Sequence, residues 1–232
     1  MKRHILILED DLELARLIKA YLQDQRFIVT HFSQAHTALK QLPEQQFDML
    51  LCDINLPGKN GFEFVQEVRA EFAGPILFMT ALTDTKSQLK GYELGAEDYL
   101  VKPINPELLL AKINVFFKLD RQVKPQQTLF QMGNLTLDTN SKTSYLNGEK
   151  LNLTSAEFRL LTALLAQFGH VVSREWLFQH HLGREYDGID RAMDGRASRL
   201  RKKLQLIDPS WNVITAWGEG YYLSKDDHIE GQ

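Results

Sequence analysis

Met49-Leu50-Leu51-Cys52-Asp53-Ile54-Asn55-Leu56-Pro57-Gly58 is an apolar run that ends on a carboxylate and passes at once into a Pro-Gly turn. An aspartate at the mouth of a buried strand is costly unless something there uses its charge. Three other short apolar runs stop at chemically pointed residues: Ile5-Leu6-Ile7-Leu8 at Glu9-Asp10-Asp11, Ile76-Leu77-Phe78-Met79 at Thr80-Ala81, and Tyr99-Leu100-Val101 at Lys102-Pro103. As parallel strands these runs share one edge of a sheet, the place where open α/β sheets bind ligands. Acids, a hydroxyl and a lysine then converge at that edge. The combination points to a pocket that accepts a phosphoryl group.

Helical segments fall between the runs. Leu12 to Gln23 repeats apolar residues at Leu14, Leu17, Ile18 and Leu22, the period of a helix. Phe27-Ile28-Val29 reads as a second strand and Ala35 to Leu42 as a second helix. A third helix follows Gly61 and ends at Gly74-Pro75; a fourth runs from about Thr85 to Leu94, and a fifth from Pro106 to about Leu119. Five strands alternating with five helices define a doubly wound parallel α/β sheet over residues 1–119.

Residues 120–128 are polar and without period, as in a linker. Beyond them the pattern changes. Leu135-Thr-Leu and Ser144 to Leu153 read as short strands about an Asn147-Gly148 hairpin turn. Thr154-Ser-Ala-Glu157 is a capping box that opens a helix, Ser173 caps a second, and Asp190 caps a third that runs to about Leu206. Two strands about Trp217-Gly218-Glu219-Gly220 close the unit. Three helices and a hairpin make a winged helix-turn-helix over 129–226, with 227–232 as a tail.

Composition sets the bounds. The 232 residues carry a net charge of −3, unevenly spread. Residues 1–120 hold 13 Lys and Arg against 17 Asp and Glu, whereas Arg191 to Lys203 holds six cations and one acid. Such a split points to two different tasks. A single cysteine, Cys52, excludes an internal disulfide. No apolar run approaches the roughly 20 residues of a membrane-spanning helix, and the N-terminus leads straight into a strand. A cytoplasmic protein with no membrane partner is expected.

Glu9, Asp10 and Asp53, once crowded together, repel and raise one another's pKa values unless a cation intervenes. A hard divalent ion fits such oxygen ligands, and Mg²⁺ is content with one or two carboxylates plus water. The metal leaves Asp53 ionised, able to act as a nucleophile toward phosphorus. Lys102 offsets phosphoryl charge and Thr80 can hydrogen-bond a phosphoryl oxygen.

In the third helix of the second unit, Met193, Ala197, Leu200 and Leu204 fall within about 60° of arc and form the buried stripe. Arg191, Arg196, Arg199, Lys202 and Lys203 spread over the opposite side among Gly195, Ala192 and Ser198. Long cations around small residues suit a helix that enters a DNA groove.

These motifs resemble those of bacterial two-component response regulators of the OmpR/PhoB type. In the first half the resemblance rests on Leu8-Glu9-Asp10-Asp11, on Asp53 to Gly61, on Thr80-Ala81, and on Gly95 to Pro103. In the second it rests on Ser155 to Leu161, Val171 to Glu175, Asp187 to Arg191, and Arg199 to Leu204. It implies a non-enzymatic transcription factor in which Asp53 takes phosphate from a sensor histidine kinase. Glu9, Asp10, Asp53 and Asn55 would bind Mg²⁺, Thr80 and Lys102 would contact the phosphoryl group, and Tyr99 would be an aromatic switch. It further implies a homodimer with Asp98 and Lys112 at its interface. Arg191, Arg196, Arg199, Arg201 and Lys202 would contact double-stranded promoter DNA at direct repeats, and the Gln179–Ile189 loop would meet RNA polymerase. Departures are also visible. Gln88 and Leu108 stand where relatives place a charged couple, Met193-Asp-Gly195-Arg196 replaces the usual helix sequence, and Trp217 replaces a wing arginine. A hydrolase with an aspartyl-phosphate intermediate would want an acid two residues past its nucleophile, where Asn55 stands. A winged-helix factor with an atypical receiver, indifferent to phosphorylation, is the remaining alternative.

Overall fold

A computed structural model describes residues 2–81, 85–122 and 128–226, apart from the side chains at 85 and 119–122. The chain divides into two compact units, Met1–Asn114 and Val115–Gln232. Among the described residues no helix is long and apolar enough to cross a membrane.

The first unit is a five-stranded parallel sheet, β1 (His4–Leu8), β2 (Ile28–Phe32), β3 (Met49–Asp53), β4 (Ile76–Thr80) and β5 (Asp98–Val101). Its order is β2-β1-β3-β4-β5. Helices α1 (Leu12–Asp24), α2 (Ala35–Gln41), α3 (Gly61–Val68), α4 (Thr85–Leu94) and α5 (Pro106–Gln122) alternate with the strands. Ile5 to Leu8, Met49 to Cys52 and Ile76 to Met79 are fully buried, which is why these strands read as unbroken apolar runs. The order reverses between β1 and β3, so the C-terminal ends of those two strands flank a crevice. Asp53 ends one of them and Glu9-Asp10 follows the other.

Local chemistry explains the boundaries. The Asp11 side chain accepts from the Glu13 and Leu14 N–H groups and starts α1. Asn60 and Glu63 form a capping box that starts α3. Two elements differ from the sequence expectation. β2 begins at Ile28 and continues through Thr30 and His31, because an edge strand with one polar partner, His4 Nε2 at 2.8 Å from Thr30 Oγ1, needs no apolar run. α3 stops near Arg69, where the guanidinium bonds the Phe72 and Gly74 carbonyls and folds the chain back.

The second unit begins with a four-stranded antiparallel sheet in the order β6 (Leu129–Met132), β7 (Leu135–Asp138), β8 (Thr143–Leu146), β9 (Glu149–Lys150). β6 is absent from the sequence reading, since only Phe130 of its four residues turns away from solvent. Asn147 and Gly148, both at positive φ, make the expected β8–β9 turn. Helices α6 (Ser155–Ala166), α7 (Arg174–Leu182) and α8 (Ala192–Ile207) follow. The strands β10 (Val172–Ser173), β12 (Gly220–Lys225) and β11 (Trp211–Ala216) pair in that spatial order, the winged arrangement. Leu160, Leu164, Phe178, Leu200, Leu204, Trp211 and Leu223 are buried as its core. The expected linker falls largely on 123–127 and the expected tail on 227–232, outside the described residues; the part at 120–122 is helical.

Gly61 sets how closely α3 approaches β3. A Cβ there would lie 2.1 Å from the Asp53 carbonyl oxygen, a backbone atom that cannot yield. Gly61→Ala is expected to lower the unfolding free energy by roughly 1–3 kcal/mol through overpacking. Urea denaturation reads this; an unchanged midpoint contradicts it.

Candidate functional site

At the C-terminal edge of the first sheet the Lys102 ammonium lies 2.7 Å from Asp53 Oδ2, 2.9 Å from Glu9 Oε1 and 2.8 Å from Glu9 Oε2. Lys102 follows β5, two strands away from β3. Its backbone N–H donates to the Thr80 carbonyl at 2.8 Å, which fixes where the side chain starts. Burial works against the ammonium's charge, but the hydrogen bonds it donates to Asp53 and Glu9 hold its pKa above the ordinary lysine value. Burial raises the Glu9 carboxyl to about 7; the Asp53 charge adds to the rise and the Lys102 hydrogen bond opposes it.

The three consecutive acids divide their labour. Glu9 is buried on Lys102, Asp10 stays exposed at the rim, and Asp11 is spent on capping α1. Among the described residues, Glu9, Asp10 and Asp53 bring carboxylate oxygens within 4.8 Å of one another. This oxygen-only, net-acidic set fits a hard divalent cation. Asp53 Oδ1 also accepts the Asn55 N–H at 3.1 Å, which turns the Asn55 backbone toward the same edge. An open cleft of about 530 Å³ adjoins the acids, lined by Asp10, the Ile54–Pro57 segment, Asn60 and Phe62. Thr80, the last residue of β4, is fully buried next to Asp53's strand.

Tyr99 on β5 is 7% exposed. Its ring meets Tyr92 edge-on at 5.1 Å and Phe78 at 5.6 Å, and its hydroxyl reaches the carbonyls of Gln88 (3.0 Å) and Ser87 (3.2 Å) in α4. Room for that hydroxyl comes from Gly91, where a Cβ would sit 1.8 Å from it. The sequence reading missed Gly91; a glycine inside a helix was the available signal. Asp98 and Lys112, expected at a dimer interface, pair with each other inside the one chain, and Asp98 is buried.

The expected DNA-contact cations separate into three groups. Arg191, at the start of α8, and Lys202 are exposed. Arg201 donates from Nε to the Val213 carbonyl at 2.7 Å and from Nη2 to Thr215 Oγ1 at 3.2 Å, which fastens α8 to β11. Arg199 donates from Nε to Glu157 Oε1 at 2.8 Å. Arg196 departs from the expected basic face: it is fully buried, close enough to His181 to depress that histidine's pKa along with Arg159. Its wheel position, about 40° from the apolar stripe, already borders the core.

Glu157, recognised from sequence only as a cap, does more. It completes the capping box with Thr154 and also holds Arg199 and Lys203, the latter at 2.7 Å. Burial alone would raise its carboxyl, but the charges of Arg199 and Lys203 and hydrogen bonds from Lys203 and the Thr154 N–H hold it at about 2. Asp194 is a second hub, bound by Arg174 of α7 at 3.1 Å and by the Tyr221 hydroxyl of β12. His180 stacks on Trp176 at 4.1 Å, and the buried His181 is held well below the usual imidazole range, mainly by desolvation. The adjacent histidines thus serve packing. In the wing Trp217 is 90% exposed and Glu219 is exposed beside it.

Residues 5–114 match the family described as "Response regulator receiver domain", and residues 148–223 match "Transcriptional regulatory protein, C terminal". The chain is 33% identical to the transcriptional regulatory protein RstA of Escherichia coli (strain K12), covering 95% of this chain and 97% of that one. It is 36% identical to the transcriptional regulatory protein CpxR of Klebsiella pneumoniae, covering 94% and 97%. Among solved structures it is similar to the response regulator DrrB, a Thermotoga maritima OmpR/PhoB homologue, at 30% identity and a TM-score of 0.51, over 97% of this chain and 100% of the other. Fold and pocket together define a response regulator, a class of regulators and not of enzymes, with a receiver and a winged-helix DNA-binding domain. More narrowly, the chain belongs to the OmpR/PhoB family.

Gly91→Ala is expected to expel the Tyr99 ring. Ring-to-ring NOEs between Tyr92 and Tyr99 should disappear in NMR spectra; their persistence with unchanged melting contradicts the slot. Glu157 yields a pH dependence. Its folded pKa lies below the unfolded value of 4.5, so its stabilisation is complete above about pH 4.5 and is lost as pH falls toward about 2. The loss should reach roughly 3 kcal/mol in denaturant titrations. Glu157→Gln should show a flatter acid limb, and an identical limb counts against the assignment.

Proposed function

We propose that this chain is a transcription regulator whose receiver, residues 1–119, accepts a phosphoryl group on Asp53 from a sensor histidine kinase. The observation that carries the reading is the Lys102 ammonium set between Asp53 and Glu9 at 2.7–2.9 Å. A cation that already bridges two carboxylates is placed to pair with a phosphoryl oxygen bonded to one of them. In the transfer, an Asp53 carboxylate oxygen bonds to phosphorus while the phosphorus–nitrogen bond to the donor histidine breaks. Glu9, Asp10, Asp53 and the Asn55 carbonyl would hold Mg²⁺, which when bound offsets negative charge on the carboxylates and the phosphoryl oxygens. Thr80 would donate its hydroxyl to the phosphoryl group.

The Asp53 end of the pocket communicates with Tyr99 through Thr80, one strand over. Movement of Thr80 toward the phosphoryl group alters the space beside the Tyr99 ring and shifts α4, β5 and α5 between two existing states. That face carries exposed Leu89, Val101 and Leu108, and it is where a homodimer would form, framed by Asp98 and Lys112. With Leu108 in place of a charge, its contacts are more apolar than the family norm.

The second unit, 129–226 after a linker at 120–128, would read direct repeats in promoter DNA through Arg191, Arg199, Arg201 and Lys202. Arg196 would take part only after leaving its buried position. The Gln179–Ile189 loop would face RNA polymerase, and the whole would act in the cytoplasm.

Incubation with a radiolabelled small-molecule phosphodonor and Mg²⁺ should label the wild-type chain and leave Asp53→Ala unlabelled. Gel shifts should show tighter promoter binding after labelling in the wild type alone. Full labelling of Asp53→Ala, or promoter binding indifferent to labelling, contradicts the proposal.

A further inference from the structure

Arg199 is bound by one edge only. Its Nε donates to Glu157 Oε1 at 2.8 Å, while Nη1 and Nη2 meet no acceptor among the described residues. Glu157 is fully buried at the first turn of α6 and anchored twice, by the Thr154 N–H at 2.9 Å and by Lys203 at 2.7 Å. Lys203 is pinned in turn by the Asn152 carbonyl at 2.6 Å. A planar guanidinium gripped at Nε has little torsional freedom left, and its two terminal nitrogens project as a rigid fork away from the carboxylate.

We infer that Glu157 is a positioning residue for DNA reading: it aims the Nη1/Nη2 fork of Arg199 at a hydrogen-bond acceptor on a DNA base. This deepens the DNA-binding function proposed above and rests on it. The pattern of bonding sets the argument. A carboxylate that neutralised Arg199 as a fork partner would engage two nitrogens of one edge, and here the second oxygen goes to Lys203 instead. The remaining edge matches the paired acceptors that guanine presents in the major groove. A lysine ammonium in Arg199's place could supply charge but no fork. The small neighbours Gly195 and Ser198, one turn and one residue before Arg199, leave the approach to that edge free of bulk. Arg201 holds α8 to β11, so the helix that carries the fork is itself fixed.

The role separates from that of the cap. A glutamine at the third helical position can still accept and donate in a capping box, so Glu157→Gln keeps the turn while removing the charge that grips Arg199. The full-length chain, with Mg²⁺ and beryllofluoride, is tested against two duplexes of equal length. One is selected from a random pool by the wild type; the other is poly(dI-dC). Melting curves establish that each variant is folded at the assay temperature. The ratio of the two affinities should fall about tenfold in Glu157→Gln, and by a similar factor in Arg199→Lys. The Glu157→Gln/Arg199→Ala double variant should lose no more than Arg199→Ala alone, because the acid acts through the arginine. A ratio unchanged in Glu157→Gln overturns the inference, as do losses that add in the double variant. An affinity that rises for both duplexes overturns it as well, since Glu157 would then be withholding the cations. A wild-type ratio of one counts instead against the DNA-reading function itself.

Discussion

One ammonium group between two carboxylates organises the receiver. Lys102 is carried by β5, Asp53 by β3 and Glu9 by β1, so the contact requires three strands to end at one level. Crowded acids would otherwise repel, and their burial would be prohibitive. The parallel sheet supplies the level through register, with Leu8 opposite Cys52 and Thr80 opposite Val101. The fully apolar strand interiors hold that register, so the charged ends have no freedom to slide. The energetic balance remains delicate. Removing either partner from a buried pair strands the other's charge, which makes the pocket sensitive to whatever binds there.

The second unit uses charge in a comparable way. Glu157 and Asp194 each tie α8 to other elements: Glu157 from α6, Asp194 to α7 and β12. With Arg201 on β11, the basic helix is fastened on three sides. A helix so held presents its remaining groups in a fixed geometry, which favours discrimination between sequences over mere attraction to phosphate. Trp217 stands apart, an exposed aromatic where the charge of the wing would be expected.

Much of this architecture was readable in advance, for identifiable reasons. Strands buried on both faces leave unbroken apolar runs, so β1, β3 and β4 and the residues at their ends could be placed from sequence. Caps announce themselves through side chains that bond nearby backbone, as at Thr154, Ser173 and Asn147-Gly148. Elements that owe their form to tertiary partners left no such trace. β2 and β6 are edge strands with polar residues, and α3 ends early because a distant guanidinium rewards the turn. At the sites, residue types that do chemistry were visible, but their partners were not. The helical wheel separated Arg196 from the core by a margin smaller than a side chain's reach. Glu157 looked like a cap because its second role depends on Arg199 and Lys203, over 40 residues away. Gly91 was silent until Tyr99 was placed beside it.

Linkage offers the most direct test of the central contact. Calorimetric titration of the full chain with Mg²⁺, with and without beryllofluoride, measures whether cation and phosphoryl mimic strengthen each other through the Glu9–Asp53–Lys102 cluster. The account expects each to tighten the other by the same factor in the wild type. In Lys102→Met that coupling should be largely lost while Mg²⁺ still binds. Equal coupling in both proteins, or none in the wild type, would contradict the role given to the bridging ammonium.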